Sequence, residues 1–258
     1  MTDVPAPTVL VEIDGPIAIV TLNRPERRNA FSRALGDALD RAFAELTASV
    51  RAVVLTGTGE HFCAGLDLKE HKENEPFAAV QFSRSSHALL TRIHDCGRPV
   101  IAAMQGAVIG GGMEIACQAH VRVADESAFF QLPEGRRGIF VGGGASVSVA
   151  RIIGTDRLVE MMLTGRRYDA EQAERLGLAH HVVPAGQALT RAVEIARSVA
   201  ANAPISNYMI LQALQHIADM PPAAGYFTES LAQAMTLTSA DARAGMEAFL
   251  DKRAVSFE

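Results

Sequence analysis

The stretch Val100-Ile-Ala-Ala-Met104-Gln-Gly106-Ala-Val-Ile-Gly110-Gly-Gly-Met-Glu114-Ile-Ala-Cys117 decides how the chain is read. Its first five residues form an apolar run of strand length. Glycines then mark a turn, and the spacing predicts a helix from about Gly111 to Cys117, with another strand around Val121 to Val123. A buried strand, a tight glycine turn, a helix and a return strand form the unit of a layered α/β fold with largely parallel pairing.

Working outward, the same order recurs. Val9, Val11 and Ile13 are expected to alternate with less buried neighbours, Asp14-Gly15-Pro16 marks a turn, and Ile17 to Leu22 is a denser β-branched run, so a hairpin is predicted. Asn23 to Asn29 is a polar loop. Ser32 is placed to cap a helix whose Leu35, Leu39, Phe43 and Leu46 share one face, and Ala52 to Thr56 returns to strand. Pro133 stops a Phe129-Phe130 strand. Beyond Asn202-Ala203-Pro204 the pattern is helical throughout. Pro221-Pro222 separates two helices, and Thr238 with Asp241 is spaced as a capping box for the last one.

Composition narrows the class. A chain of 258 residues buries roughly 73% of its unfolded surface on folding, enough for a full core without disulfides. Cys63, Cys96 and Cys117 are odd in number and lack CxxC spacing, against a disulfide framework or a zinc ribbon. A net charge of −5 offers no footprint for nucleic acid and no attraction to anionic membrane. The uncharged stretch Val100 to Met113 falls short of the ~18 residues of a spanning helix. Met1 to Pro7 has neither a basic leader nor a signal-length apolar run, so a cytoplasmic location is expected.

The glycines complete neither GxGxxG, GxxxxGK[ST] nor GxSxG, which removes the nucleotide-binding and nucleophile-elbow fingerprints. His94-Asp95-Cys96 resembles a compressed triad, but adjacent helical residues diverge and cannot act as a unit. His87 and His94, seven residues apart, are too distant on a helix to share a metal, and no metal site is expected. What remains is two backbone clusters and two carboxylates. His61-Phe-Cys-Ala64-Gly65-Leu66-Asp67-Leu68 and Gln105 to Glu114 each follow a strand and expose N–H groups at a turn or helix start. Either alone also reads as a tight packing turn. Facing one another, they would aim two donors at one carbonyl oxygen. Glu114, in the first turn after the triple glycine, and Glu134, just after Pro133, are the candidate acid and base for proton transfer next to a carbonyl.

These residues resemble the crotonase superfamily, in its enoyl-CoA hydratase/isomerase branch. The resemblance rests on Leu22-Asn-Arg-Pro25 with Asn29-Ala-Phe31, Phe62-Cys-Ala-Gly-Leu-Asp-Leu68, Pro99 to Ala103, Gly110-Gly-Gly-Met-Glu114, Pro133-Glu134, Leu163-Thr-Gly165, Ala173 to Leu178 and Gly245 to Arg253, and runs almost end to end. It implies a crotonase-like spiral of ββα units over residues 1–200 and a helical C-terminal region over residues 201–258 used in trimer or hexamer packing. It implies an oxyanion hole from the N–H groups of Leu66 and Gly111, and a hydratase pair in Glu114 and Glu134. An acyl-CoA thioester would be the substrate, with coenzyme A part of it and no further cofactor. Arg27, Arg28, Ala64, Asp67, Leu68, Lys69 and a neighbouring subunit's Lys252 would form the CoA-side contacts. The double-bond isomerase of the same branch, which keeps the carboxylate matching Glu134, and a non-catalytic CoA-binding scaffold are the alternatives. The chain departs from the family pattern at Gly135-Arg136-Arg137 and Gly142-Gly-Gly144. An arginine beside Glu134 is expected to lower its pKa, and the sequence assigns the glycine cluster no role. The segment from about Lys72 to Thr91 is expected to wall the acyl pocket.

Overall fold

The computed structural model describes residues 6–70, 75–253, 255 and 257. Two lengths of sequence read above, Met1 to Pro5 and His71 to Asn74, lie outside them. The chain opens with the hairpin β1 (Val9–Asp14) and β2 (Ile17–Leu22), turned at Gly15 with φ 58°. α1 (Arg33–Ala44), β3 (Ala52–Gly57) and α2 (Pro76–His94) follow. The Oγ of Ser32 accepts the Leu35 N–H at 3.1 Å and so caps α1, burying Leu35, Leu39 and Phe43. Leu46 lies past the helix end yet still packs on the core.

The central units are β4 (Val100–Met104), β5 (Ala107–Ile109) and α3 (Gly111–Ala116), then β6 (Val121–Asp125), β7 (Phe129–Gln131) and the single turn α4 (Glu134–Arg137). α5 (Ala145–Ile153), α6 (Thr155–Thr164), β8 (Tyr168–Asp169), α7 (Ala170–Arg175), β9 (His181–Val183) and α8 (Ala188–Ala200) close the layered part. α9 (Pro204–Ala218), α10 (Pro222–Leu237) and α11 (Ala240–Leu250) end the chain, with Pro222 opening α10 as its position suggests.

One sheet runs β1-β2-β3-β4-β6-β9 and is parallel apart from the β1-β2 hairpin. A short second sheet runs β5-β7-β8. Successive strand residues face opposite sides. Val20, Leu22, Val53, Leu55, Ala102 and Met104 therefore enter one core with α1, α2 and α3, while Ile17, Ala52, Val54, Ile101 and Ala103 enter a second. That second core meets Ala188, Ala192, Ala196 and Ala200, spaced one turn apart on α8, whose methyls allow close approach to the sheet. Burial on both faces explains why β3 and β4 read as unbroken apolar runs.

Two local expectations are corrected. β1 does not alternate: at this edge of the sheet Leu10, Val11 and Ile13 are all exposed, while Val9 packs against the core. The cap of α11 is Ser239, whose Oγ accepts from Ala242 N–H at 3.0 Å, while Thr238 turns its hydroxyl back to Ala234 O at 2.7 Å. The one-residue shift arises because Thr238 is still C-cap of α10.

α3 is pressed against the loop bearing Cys63, which bridges to Val108. A Cβ on Gly112 would collide with the Cys63 carbonyl oxygen and lie 2.8 Å from Cys63 Cβ. Gly112→Ala is therefore expected to destabilise the fold by about 1–3 kcal/mol, seen as a lower thermal midpoint.

Candidate active site

Two glycine turns bring two N–H groups together. Gly65 adopts φ 94°, open to glycine, and a Cβ there would lie 2.8 Å from Ile109 O and 3.6 Å from Gly111 N. A Cβ on Gly111 would in turn lie 3.6 Å from Leu66 N. Phe31 N–H donates to Gly65 O at 2.7 Å and Asp67 N–H donates to Phe31 O at 2.9 Å, a bridge that turns the Leu66 N–H away from Phe31. Gly111 is the first residue of α3 and has no intrahelical acceptor. Among the described residues neither N–H has a hydrogen-bond acceptor.

Both donors line a cavity of about 340 Å³ that also holds Glu114 and Glu134. Its remaining wall is largely apolar, with Phe31, Leu68, Leu90, Ile139, Phe140 and Val141, and α2 contributes Ala79, Phe82, Ser83 and Ser86. The described part of the segment expected to wall the pocket does so. A larger cavity, about 670 Å³, shares Leu90 and Gly143 with it and runs to α9. It contains neither glutamate, and its buried Arg122 is bound to the carbonyls of Ala119, Gly177 and Leu178.

The two glutamates are both buried, at 7% and 6% exposure, and are held differently. Glu114 Oε1 accepts the N–H of Gly143 at 2.7 Å and of Ala145 at 3.1 Å. Gly142 to Gly144, unassigned from sequence, thus form the cradle of one carboxylate, and a Cβ on Gly143 would sit 2.5 Å from Glu114 Oε2. Burial raises the Glu114 pKa, and the two N–H groups and the His87 charge resist that rise. Glu134 starts a one-turn helix behind Pro133, and its Oε2 has no partner among the described residues. Burial, reinforced by the Glu114 charge, pushes its pKa up to about 7 against the pull of its own backbone N–H and Arg137. Arg137 lowers the Glu134 pKa as expected of a neighbouring arginine, but desolvation outweighs it and the net shift is upward. Arg136 is exposed and lies against Gly165.

The CoA-side residues divide. Arg27 and Arg28 are exposed on and just after a 3-10 turn, Pro25–Arg27, and Arg28 O accepts from Ala64 N–H at 3.0 Å. Leu68 lines the cavity and Lys69 is exposed. Asp67 instead turns inward, bound to Arg24 at 3.1 Å. Lys252 is exposed just beyond α11 and does not line the cavity within one chain. His94 bonds Gln118 O at 3.1 Å and Cys96 bonds Arg98 O, so His94-Asp95-Cys96 forms no triad. Sequence reasoning missed Arg24, Asn29, Gly143 and Ala145. The Asn-Arg-Pro signal was in view for the first pair, while only a fold brings residue 143 to residue 114.

The sequence matches the Enoyl-CoA hydratase/isomerase family over residues 12–258. It is 37% identical to the enoyl-CoA hydratase EchA19 of Mycobacterium tuberculosis, covering 98% of this chain and 97% of that one. It is 32% identical to the short-chain-enoyl-CoA hydratase of Clostridium acetobutylicum, over 96% of each. The structure superposes on the enoyl-CoA hydratase of Bacillus anthracis with a TM-score of 0.91 at 31% identity, over 97% of this chain and 98% of that one. A solved Rhodopseudomonas palustris structure gives 0.93 at 44% identity over 95% of each chain. Fold and site together define a member of the crotonase superfamily. The chain belongs to the enoyl-CoA hydratase/isomerase family.

Because the folded protein keeps the Glu134 proton up to about pH 7 while the unfolded chain releases it near the ordinary glutamate value of 4.5, the native state binds more protons between those values. Stability contributed by this group is full below the lower value and falls as pH rises through the upper one. Glu134→Gln should thus be more stable than the parent at pH 8 by on the order of 3 kcal/mol and nearly equal to it at pH 4, which thermal melts at the two pH values will show.

Proposed function

We propose that the protein is an enoyl-CoA hydratase, adding water syn across the double bond of a trans-2-enoyl-CoA to give a 3-hydroxyacyl-CoA. The observation that carries this reading is the split between two carboxylates in one cavity: Glu114 bound by two N–H donors, Glu134 buried with one oxygen unpartnered among the described residues and its pKa pushed up to about 7. Environments that separate two carboxyl groups assign one as base and one as acid. Glu114, ionised, takes a proton from water as its oxygen bonds C3. Electron density moves to the thioester oxygen, which the Leu66 and Gly111 N–H groups receive, and protonated Glu134 delivers its proton to C2. One proton enters Glu114 and one leaves Glu134, so the pair ends singly protonated as it began. The reaction is redox-neutral and calls for no cofactor beyond the CoA carried by the substrate. The hydratases among the relatives support the same reading.

The CoA moiety would run over Arg27, Arg28, Ala64 and Lys69, with Leu68 between it and the acyl group. α9 to α11 expose Tyr208, Leu214, Phe227, Leu231 and Phe249, an apolar area suited to self-association as a trimer or hexamer. That packing would bring Lys252 of a neighbouring copy to the CoA.

Incubation with a panel of 2-enoyl- and 3-enoyl-CoAs, with products resolved by mass, tests the reading. The expected product is the 2-enoyl-CoA plus water; conversion of a 3-enoyl-CoA without addition of water would identify a double-bond isomerase instead. Glu134→Gln should lower kcat by about 10²- to 10⁴-fold with little change in KM. In the parent, kcat/KM should fall as pH rises through about 7, because the doubly ionised pair has no proton to give.

A further inference from the structure

The donor at Leu66 is only as well aimed as the loop that carries it, and the structure shows what fixes that loop. Arg24, 11% exposed, reaches two places at once. Its Nη1 donates to Ala30 O at 2.7 Å, and its Nη2 donates to Asp67 Oδ2 at 3.1 Å and to Glu70 Oε1 at 2.8 Å. Ala30 and Asp67 are the residues next to the bridged pair Phe31 and Leu66. The guanidinium is therefore a clasp across the bridge whose two backbone bonds, Phe31 N–H to Gly65 O and Asp67 N–H to Phe31 O, leave the Leu66 N–H facing the cavity.

Arg24 is itself fixed from behind. Its N–H donates to Asn29 Oδ1 at 2.8 Å, and Asn29 Nδ2 donates to the carbonyls of Thr58 and His61 at 2.9 and 2.7 Å. Asn29 is fully buried in a left-handed conformation, φ 54°. The second oxygen of Asp67 accepts the Lys69 N–H at 3.2 Å. The polar groups of this cluster thus bond one another and the loop backbone, and neither Arg24 nor Asp67 lines the cavity.

We propose that the Arg24–Asp67 ion pair is a positioning device for the reaction, setting the aim of the Leu66 N–H on the thioester oxygen without touching substrate. This rests on the hydratase reading given above. A buried bidentate arginine tied to both a carbonyl and a carboxylate holds a fixed geometry, which a single flexible charge does not. A donor misplaced by a fraction of an ångström loses more of its stabilisation of the transition-state oxyanion than of the ground-state carbonyl, so the loss appears in kcat.

The test compares the parent with Arg24→Met, Asp67→Asn and the double variant, using a 2-enoyl-CoA for kinetics and an aryl-enoyl-CoA whose absorption moves to the red when its thioester oxygen is polarised. In the parent the bound chromophore should move to the red. Each single variant should lose kcat by about 10²-fold, keep KM within a few-fold and show a smaller red shift, and the double variant should be no worse than either single one. Asp67→Asn, nearly isosteric, decides the matter if Arg24→Met fails to fold. Unchanged kcat and an unchanged red shift in a folded variant would overturn the positioning role while leaving the hydratase reading intact. Absence of any red shift in the active parent would instead overturn the polarisation at Leu66 and Gly111 and the positioning role with it.

Discussion

Two buried carboxylates share one cavity, and the rest of the site is arranged around the cost of that. An ionised carboxyl taken out of water must be hydrogen-bonded or it takes up a proton. Glu114 meets the first condition through Gly143 and Ala145, and Glu134 the second, one of its oxygens having no partner among the described residues. The Glu114 charge also raises the cost of charge on Glu134, second to burial among the causes that lift its pKa. Asymmetry between two residues of one type is therefore a product of the backbone around them.

That backbone depends on glycine at a few points only. Gly65 and Gly111 let two chain turns approach until their N–H groups are neighbours, and Gly143 leaves room for the Glu114 carboxylate that its own N–H binds. The parallel sheet supplies the frame: β4 leads to β5 and α3, carrying Gly111 and Glu114, and β6 leads to β7 and α4, carrying Glu134. Consecutive units of one spiral thus deliver the two carboxylates to the same cavity.

Much of this was legible in the sequence. The apolar runs at Ile17–Leu22, Ala52–Gly57 and Val100–Met104 are buried on both sheet faces, so burial and pattern agree and the strands were evident. The triple glycine before Glu114 and the proline before Glu134 marked both carboxylates, since each has a strong local backbone effect. Edge strand β1 misled because its apolar residues face solvent within one chain. Long-range matters were not legible: Gly143 lies 29 residues from Glu114, and Arg137 follows Glu134 within one helical turn while burial, a property of the whole fold, decides the sign of the shift.

The central claim is that one fold gives two glutamates opposite protonation roles, and carboxyl titration tests it most directly. Carbon-13 NMR of protein labelled at the glutamate side-chain carboxyl follows each group through pH. The expected result is one carboxyl titrating near pH 7 that disappears in Glu134→Gln, with the Glu114 carboxyl titrating separately from it. If both signals titrate together near the ordinary carboxylate value, the division into acid and base is contradicted.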